Sequence, residues 1–236
     1  VGEPALGPSV FMHRRSAGGD PLAPVSHHWL DSTHITNGVV TGGVVVSNLK
    51  VEGSVFNGRE PDQHRYAVEW RQPDSWSARL GWNPRPDLSL QASVGHLASP
   101  EALKPEVSVR RTTLSAEHIA KIGRVEWAST WAWGRNQPSQ GATTTATLVE
   151  TALRDQGSTF YGRWERAVKD ELGAEIPPTP VRRFSIGLGR ELGRVGAIGF
   201  EAGVVYSGID IPAVVAPTYG TDPHGLAAYL RLRLLP

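Results

Sequence analysis

Polar and apolar residues alternate with a period of two along most of the chain, the spacing that sends neighbouring side chains to opposite faces of a β-strand. In residues 226–234 every even position is leucine or alanine, and the odd positions include Tyr229 and Arg231. In residues 198–206 every even position is apolar, and Glu201 lies between them. Because each face keeps its character over the whole run, we interpret such segments as strands with one apolar and one polar face.

This alternation predicts eleven strands that are long for a soluble protein. They cover residues 37–46, 50–58, 74–83, 87–97, 107–120, 124–135, 142–154, 157–168, 182–192, 195–207 and 225–235. Most have 10–13 residues, whereas a typical soluble strand has about 5–6 and a tilted strand that crosses a bilayer needs about 9–11. The strand length therefore favours membrane-spanning strands.

The connections between these strands are alternately short and long. The short ones are predicted at 47–49, 84–86, 121–123, 155–156 and 193–194, and the long ones follow 58 and 97 and occupy 136–141, 169–181 and 208–224. Outer-membrane barrels have short periplasmic turns and long extracellular loops. We therefore predict an all-β fold, an antiparallel transmembrane β-barrel of about 12 strands, eleven of which are seen in this chain.

The direction of the strands leads to an expectation about the N-terminal part. If the short turns are periplasmic, the segment 37–46 runs towards the periplasm, and a periplasmic N-terminus requires one more strand before it. Bacterial single-chain barrels have an even number of strands, so we expect one further strand. It lies either within residues 1–20 or, as we favour, upstream of them. Residues 1–36 are rich in Pro, Gly and His and do not alternate. They are predicted to form an irregular loop or partial plug, and 37–236 the β-barrel.

Composition narrows the classes of function. The 236 residues include no cysteine, which excludes disulfides, thiolate nucleophiles and thiolate metal sites. The 24 Lys and Arg residues nearly balance the 23 Asp and Glu residues. The net charge therefore gives no indication of a nucleic-acid partner. The hydrophobic share of 39% is below the usual ~45–50%. A barrel wall accounts for this share because only alternate residues face lipid.

Four sequence strings carry a resemblance to known proteins. They are GEPALGP at 2–8, SHHWLDSTHIT at 26–36, GREPDQHR at 58–65 and SARLGWNP at 77–84. With them the chain resembles a family of uncharacterised bacterial proteins predicted to be outer-membrane β-barrels. The resemblance implies the barrel fold and the bacterial outer membrane, and it brings no established activity.

Two sets of residues are candidates for the inner and outer surfaces of the barrel. The predicted lumen-facing polar residues are Arg79, Glu117, Arg163, Glu165, Arg183, Glu201, Arg231 and Arg233. The predicted lipid-interface aromatic residues are Trp76, Trp82, Trp127 and Trp133, which fall near strand ends. Tryptophan is favoured at the boundary between lipid and water because its ring is amphipathic.

A group of histidines forms a candidate metal site. His27, His28 and His34, with Asp31 nearby and His13 upstream, could supply imidazole and carboxylate ligands to a divalent transition metal. Their spacing matches no recognised ligand motif. The alternative is that they are hydrogen-bonded loop residues, and in that case no cofactor is expected.

The pattern as a whole predicts a membrane protein of Gram-negative bacteria without catalytic function. The sequence contains no GxSxG, P-loop or HExxH motif, so we do not expect an enzyme. The expected function is a porin-like narrow channel or binding barrel for a small polar solute or ion, with outer-membrane lipid as its other partner. Two alternatives stay open, a non-conducting barrel that displays its loops to a partner and a soluble β-barrel or sandwich.

Overall fold

The structure is a computed structural model that describes residues 2–60, 72–173, 175–221 and 223–234, with only the backbone at His34 and Ile35. Most of the GREPDQHR string at 58–65 lies outside the described residues.

The described residues contain eleven strands, and each one overlaps a predicted strand to within three residues at both ends. They are β1 (Val40–Val46), β2 (Leu49–Phe56), β3 (Ser75–Arg85), β4 (Leu88–Leu97), β5 (Val109–Ile122), β6 (Val125–Pro138), β7 (Thr144–Asp155), β8 (Ser158–Lys169), β9 (Thr179–Val195), β10 (Ile198–Asp210) and β11 (His224–Leu234). The alternation of apolar and polar residues therefore located every strand seen.

In the part of the chain that the structure describes, helical structure is limited to single turns. The α-helices are α1 (His27–Leu30) and α2 (Ala216–Tyr219), and short 3-10 helices cover Ser32–Ile35 and Ala213–Val215. Across the described ranges, no helix is long and apolar enough to cross a membrane.

All eleven strands belong to one sheet and follow one another in chain order from β1 to β11. Neighbouring strands from β1 to β4 and from β8 to β11 pair antiparallel. The predicted all-β antiparallel fold is confirmed. Within the described residues, no pairing between β1 and β11 closes the sheet.

The alternation of short and long connections is confirmed as well. The short connections are the two-residue turns 47–48, 86–87, 123–124, 156–157 and 196–197, and the long ones are 57–74, 98–108, 139–143, 170–178 and 211–223. Turn residues take up positive φ where the tight reversal requires it, as at Gln156 (46°) and Gly157 (77°). A two-residue turn with positive φ at both positions matches the twist of the flanking strands.

One predicted turn is displaced. The sequence placed it at Gly193-Arg194, whereas β9 continues to Val195 and the chain reverses at 196–197. The register between β9 and β10 shifts between Phe200 and Glu201, so that Leu192 is the extra residue of a bulge. The bulge lets β9 continue past Gly193, where the sequence pattern predicted a turn.

The described chain forms two compact units. The first comprises residues 1–10, 26–117 and 132–147, and the second comprises 11–25, 118–131 and 148–236. In each unit the strands have two different faces, except that every residue of β1 is exposed. One face, which we name the covered face, packs against residues of the irregular N-terminal segment. The other, the open face, carries exposed apolar side chains.

In the first unit, residues 2–10 lie on the covered face. Leu6 packs with Phe56 and Leu97 in a small buried cluster. The backbone N–H of Ala5 donates to Ser54 Oγ at 2.7 Å. Hydroxyl groups of the strands thus satisfy backbone donors of a segment that has no ladder of its own.

In the second unit, residues 11–25 lie on the covered face. Ala152, Tyr161 and Val205 form a buried cluster, and Leu22 packs against it. Apart from the isolated bridge between Gly2 and Thr36, residues 2–39 form no strand. The role of this segment as a loop or partial plug stays a prediction.

We predict that a charge in the middle of the open face destabilises the protein in a bilayer. Val204 is half exposed at the centre of β10. Val204→Arg is expected to cost about 2–4 kcal/mol of unfolding free energy, as arginine does near a bilayer midplane. The measurement is urea unfolding of protein reconstituted in lipid vesicles.

Leu103→Arg is the matched control, because Leu103 is 95% exposed in the long connection 98–108 and surface substitutions usually change stability by no more than about 0.5 kcal/mol. Equal, small effects at both positions would contradict a lipid-facing surface and favour the soluble alternative.

Candidate functional site

The covered face of the second unit is organised around the buried carboxylate of Glu150 on β7. Arg14 Nε donates to Glu150 Oε1 at 2.6 Å, and Arg163 Nε donates to Oε2 at 3.0 Å. Ser16 Oγ adds a third hydrogen bond at 2.9 Å. Arg163 Nη1 also lies 3.3 Å from Asp20 Oδ2. We name these five residues the Glu150 cluster. It joins the irregular segment to β7 and β8.

The side chains of this cluster are almost fully removed from solvent. Arg14 and Glu150 side chains are 0% and 1% exposed, and those of Arg163 and Asp20 are 2% and 3% exposed. Buried ions are costly unless they are paired and hydrogen bonded, and removal of one partner leaves the others uncompensated. The cluster therefore holds residues 14–20 in one position on the covered face.

Guanidinium groups of the strands also bind the backbone of residues 11–25. Arginine presents five N–H donors in a fixed fork and can serve carbonyl and carboxylate oxygens together. The donor–acceptor distances are 2.5 Å from Arg154 to Arg15 O, 2.8 Å from Arg231 to Gly18 O, 2.8 Å from Arg163 to Leu22 O and 3.0 Å from Arg183 to Ala23 O. Strand arginines thus supply hydrogen bonds to backbone carbonyls that would be paired in a β-sheet.

A recess of about 700 Å³ lies beside this segment and is lined by cationic side chains. We name it the arginine recess. Besides Arg14, which pairs with Glu150, its guanidinium groups belong to Arg15 from the segment and to Arg154, Arg231 and Arg233 from β7 and β11. Arg15 is well exposed, with 58% of its side chain accessible, and Arg233 is 43% accessible.

Two carboxylates form ion pairs with these four guanidinium groups. Glu126 pairs with Arg15 and, at 3.2 Å, with Arg154. Glu201 pairs with Arg231 at 3.1 Å and with Arg233 at 2.7 Å. Asp20 also lines the recess, and it pairs with Arg163 of the Glu150 cluster. The wall of the recess is therefore cationic on balance, and its guanidinium groups have a fixed orientation.

The covered face of the first unit has a smaller charged group. Arg79 donates to Glu52 Oε2 at 3.1 Å and to the carbonyl of Gly7 at 3.2 Å. Arg111 donates to Ser32 Oγ and to Asn136 Oδ1, both at 2.9 Å. Here too, strand arginines anchor residues of the N-terminal segment.

The eight residues predicted to face the lumen all lie on the covered face of their unit. Arg163, Glu165 and Glu201 are buried, and Arg79, Glu117, Arg183 and Arg231 are partly buried, whereas Arg233 is exposed at the arginine recess. Their position within a water-filled lumen stays a prediction.

The four tryptophans predicted for the lipid interface lie on the open face. Trp76, Trp82 and Trp127 are 48%, 44% and 37% exposed, and Trp133 is partly buried on the same strand face as Trp127. Trp127 Nε1 donates to Thr151 Oγ1 at 2.9 Å. Their contact with a lipid boundary stays a prediction.

The histidine cluster is brought together in part. His27 Nδ1 lies 2.5 Å from Asp31 Oδ1, and the rings of His27 and His28 are 5.8 Å apart, edge to face. His13 belongs to the second unit, and the side chain of His34 lies outside the described residues. Among the described residues, no group of three or more His, Asp or Glu side chains is arranged to hold a metal. The metal site stays a prediction.

Sequence reasoning missed the centre of the site. Glu150 and Arg154 share the covered parity of β7 with Ala146, Leu148 and Ala152, so the alternation of this strand does not single them out. Arg14 and Asp20 lie in a segment without periodicity, and nothing in the sequence indicates which strands they meet. Gly187 lies within β9, under the ring of Tyr161, so that a Cβ at Gly187 would clash with Tyr161 Cζ.

The fold can be compared with known proteins. No protein-family model matches the chain, and no curated protein matches its sequence. Solved structures do match. OccK10 (OpdN) of Pseudomonas aeruginosa has a TM-score of 0.54 and 13% identity over 87% of this chain and 64% of that one. OccAB4 of Acinetobacter baumannii has a TM-score of 0.57 and 11% identity over 86% and 59% of the two chains. OccK1 (OpdK) of Pseudomonas aeruginosa has a TM-score of 0.56 and 11% identity over 82% and 57%.

The chain spans less than two thirds of the length of each of these structures. They are outer-membrane porins and not enzymes. At 11–13% identity the likeness establishes the fold. By its fold, the chain is similar to the strand wall of outer-membrane porins.

Proposed function

We propose that the chain forms part of the wall of a bacterial outer-membrane β-barrel that passes or binds a small polar solute carrying an anionic group. The observation that carries this proposal is the division of the same strands into an apolar exposed face and a charged covered face. That division suits a wall between lipid and an aqueous lumen. The porin-type fold supports it.

The arginine recess supports the class of solute. Four guanidinium groups share two carboxylates there, so an entering anion meets donors whose charge is not fully balanced. Guanidinium groups recognise carboxylates and phosphates through paired, charge-assisted hydrogen bonds. A recess of about 700 Å³ has the size of sites that hold small molecules.

Residues 11–25 serve in this proposal as a partial plug. Their backbone carbonyls occupy guanidinium donors of the strands, Arg154 and Arg231 of the recess among them, and an anionic solute competes for those donors. The plug narrows the path on the second unit's covered face, so we expect a small conductance rather than that of a general diffusion pore.

A non-conducting barrel is the second candidate function. It is favoured by the number of hydrogen bonds that hold residues 11–25 and by the burial of the Glu150 cluster. In that case the long connections are the functional surface. The two candidates differ in whether the reconstituted protein conducts.

We predict that the reconstituted protein conducts ions in planar bilayers and that the arginine recess sets its preference for anions. A double variant, Arg15→Gln with Arg233→Gln, removes two exposed charges from the recess. In a salt gradient its reversal potential is expected to shift towards cation preference.

The matched control is Arg190→Gln, an exposed arginine on the open face of β9. It is expected to leave the reversal potential unchanged. A folded, inserted protein that shows no conductance would rule out the channel and favour the non-conducting barrel. An equal shift in the control and the double variant would place the selectivity outside the recess.

We predict that Glu150→Gln loosens the plug. The change removes the charge that compensates Arg14 and Arg163 and is expected to cost about 3–5 kcal/mol, the usual result of breaking a buried ion pair. Urea unfolding, followed by tryptophan fluorescence, measures the loss. Trypsin is expected to cut faster after Arg14 and Arg15, and the channel to conduct more.

Asp155→Asn is the control for this prediction, because Asp155 pairs with Arg124 near the surface, where an ion pair contributes at most about 1 kcal/mol. If Glu150→Gln and Asp155→Asn change stability and trypsin cleavage equally, the Glu150 cluster does not hold the segment.

A further inference from the structure

The open face of the second unit has a notch near one end of β8–β11. A row of side chains crosses these strands, because Trp164 pairs with Phe184, Phe184 with Gly208, and Gly208 with His224. Gly208 contributes no side chain, and the Phe184 ring lies over it, so that a Cβ at Gly208 would meet Phe184 Cε1 at 2.6 Å. The resulting recess has a volume of about 400 Å³, and Tyr206 also lines it.

The next row towards the connections is charged. Arg166 of β8 pairs in register with Arg182 of β9, and Arg182 pairs with Asp210 of β10. Arg182 Nη1 lies 2.8 Å from Asp210 Oδ2, and both side chains are more than half exposed. Arg166, Arg182 and Asp210 thus occupy neighbouring positions in one row across β8, β9 and β10 on the open face.

If the proposed function holds, the position of this row along the strands indicates its depth in the membrane. The connections 170–178 and 211–223 adjoin it, and both belong to the long set, which is extracellular in outer-membrane barrels. Arginine on the lipid face is costly at the bilayer midplane and nearly free of cost at the interface. The arginine row therefore marks the level of the outer head groups, with the aromatic notch directly below it.

Charged and apolar groups in this order match the two parts of an anionic lipid. In the row on the membrane side of the notch, Ile186 pairs with Tyr206, and Tyr206 with Leu226, so an apolar surface continues towards the membrane centre. Guanidinium forks bind phosphate oxygens with paired hydrogen bonds, whereas acyl chains pack against aromatic and aliphatic side chains. Arg183, Asp210 and His224 are the other charged or titratable residues that line the notch.

We propose that this patch binds a phosphorylated lipid of the outer leaflet. Arg166 and Arg182 hold its phosphate, and an acyl chain lies in the notch against Trp164 and Phe184. The inference rests on the proposed function, because it requires the open face to contact lipid. It assigns a lipid partner to one place on the wall rather than to the wall as a whole.

The test uses the full chain and phosphatidic acid as the probe. The protein is reconstituted in phosphatidylcholine that contains a small fraction of phosphatidic acid, and native mass spectrometry counts the lipids that stay bound. The wild type is expected to retain phosphatidic acid in preference to phosphatidylcholine. Arg166→Gln with Arg182→Gln is expected to lower that retention by about tenfold or more, because each lost charge-assisted hydrogen bond weakens binding substantially.

The matched control is Arg85→Gln with Arg190→Gln, which removes two exposed arginines near two-residue turns. Arg85 is the last residue of β3, before 86–87, and Arg190 Nη1 donates to the carbonyl of Gln156 in the turn 156–157. It is expected to retain phosphatidic acid like the wild type. Equal loss in the control would overturn the proposal, since it would show attraction by overall charge. Inorganic phosphate at millimolar concentration is expected not to displace the lipid, and complete displacement would show an anion site without a lipid component.

The two proposals fail in different ways. If the wild type does not insert into vesicles, the outer-membrane function fails and the lipid site falls with it. If the wild type inserts and conducts but retains no phosphatidic acid, only the lipid site fails. The double variant is expected to keep the wild-type urea midpoint and conductance, because its arginines lie outside the Glu150 cluster and the arginine recess.

Discussion

The structure depends on one constraint, that most strands of the sheet meet two different environments at once. A strand places successive side chains on opposite faces, so a wall with lipid on one side and polar groups on the other requires a strict period of two. Val204 and Val205 illustrate the consequence. These neighbours in β10 are 49% and 2% exposed, because one lies on the open face and the other under the N-terminal segment.

The covered face then has to satisfy many charged groups with little water. The buried Glu150 carboxylate is balanced by guanidinium groups from two directions, one from the strands and one from the irregular segment. Because desolvation opposes such pairs, each depends on complete hydrogen bonding. The strand arginines complete it by binding backbone carbonyls of residues 11–25. The same chemistry makes these arginines suitable for an anionic solute, which links the packing of the segment to the proposed function.

The strands and turns were predictable from the sequence because a long period-two pattern leaves little freedom in register. The turn after β9 was misplaced because a bulge at Leu192 interrupts that pattern. The Glu150 cluster could be predicted only in part. Parity indicates that Arg163 is on the polar face of β8, whereas Glu150 shares its parity with apolar residues of β7. The partners Arg14 and Asp20 lie in a segment whose path is set by tertiary contacts alone. Arg166 is a charged residue on the apolar parity of β8. Its pairing with Arg182 is known only from the strand register of the structure.

The most direct test asks whether the two faces of one strand meet different surroundings. Because the chain contains no cysteine, an introduced cysteine is its single labelling site. Single cysteines at each position from 202 to 207 in β10, labelled with an environment-sensitive fluorophore in lipid vesicles, report the surroundings of each side. We expect quenching by nitroxide-labelled lipid at positions 202, 204 and 206 and none at 203, 205 and 207. Uniform quenching, or none at any position, would contradict the account.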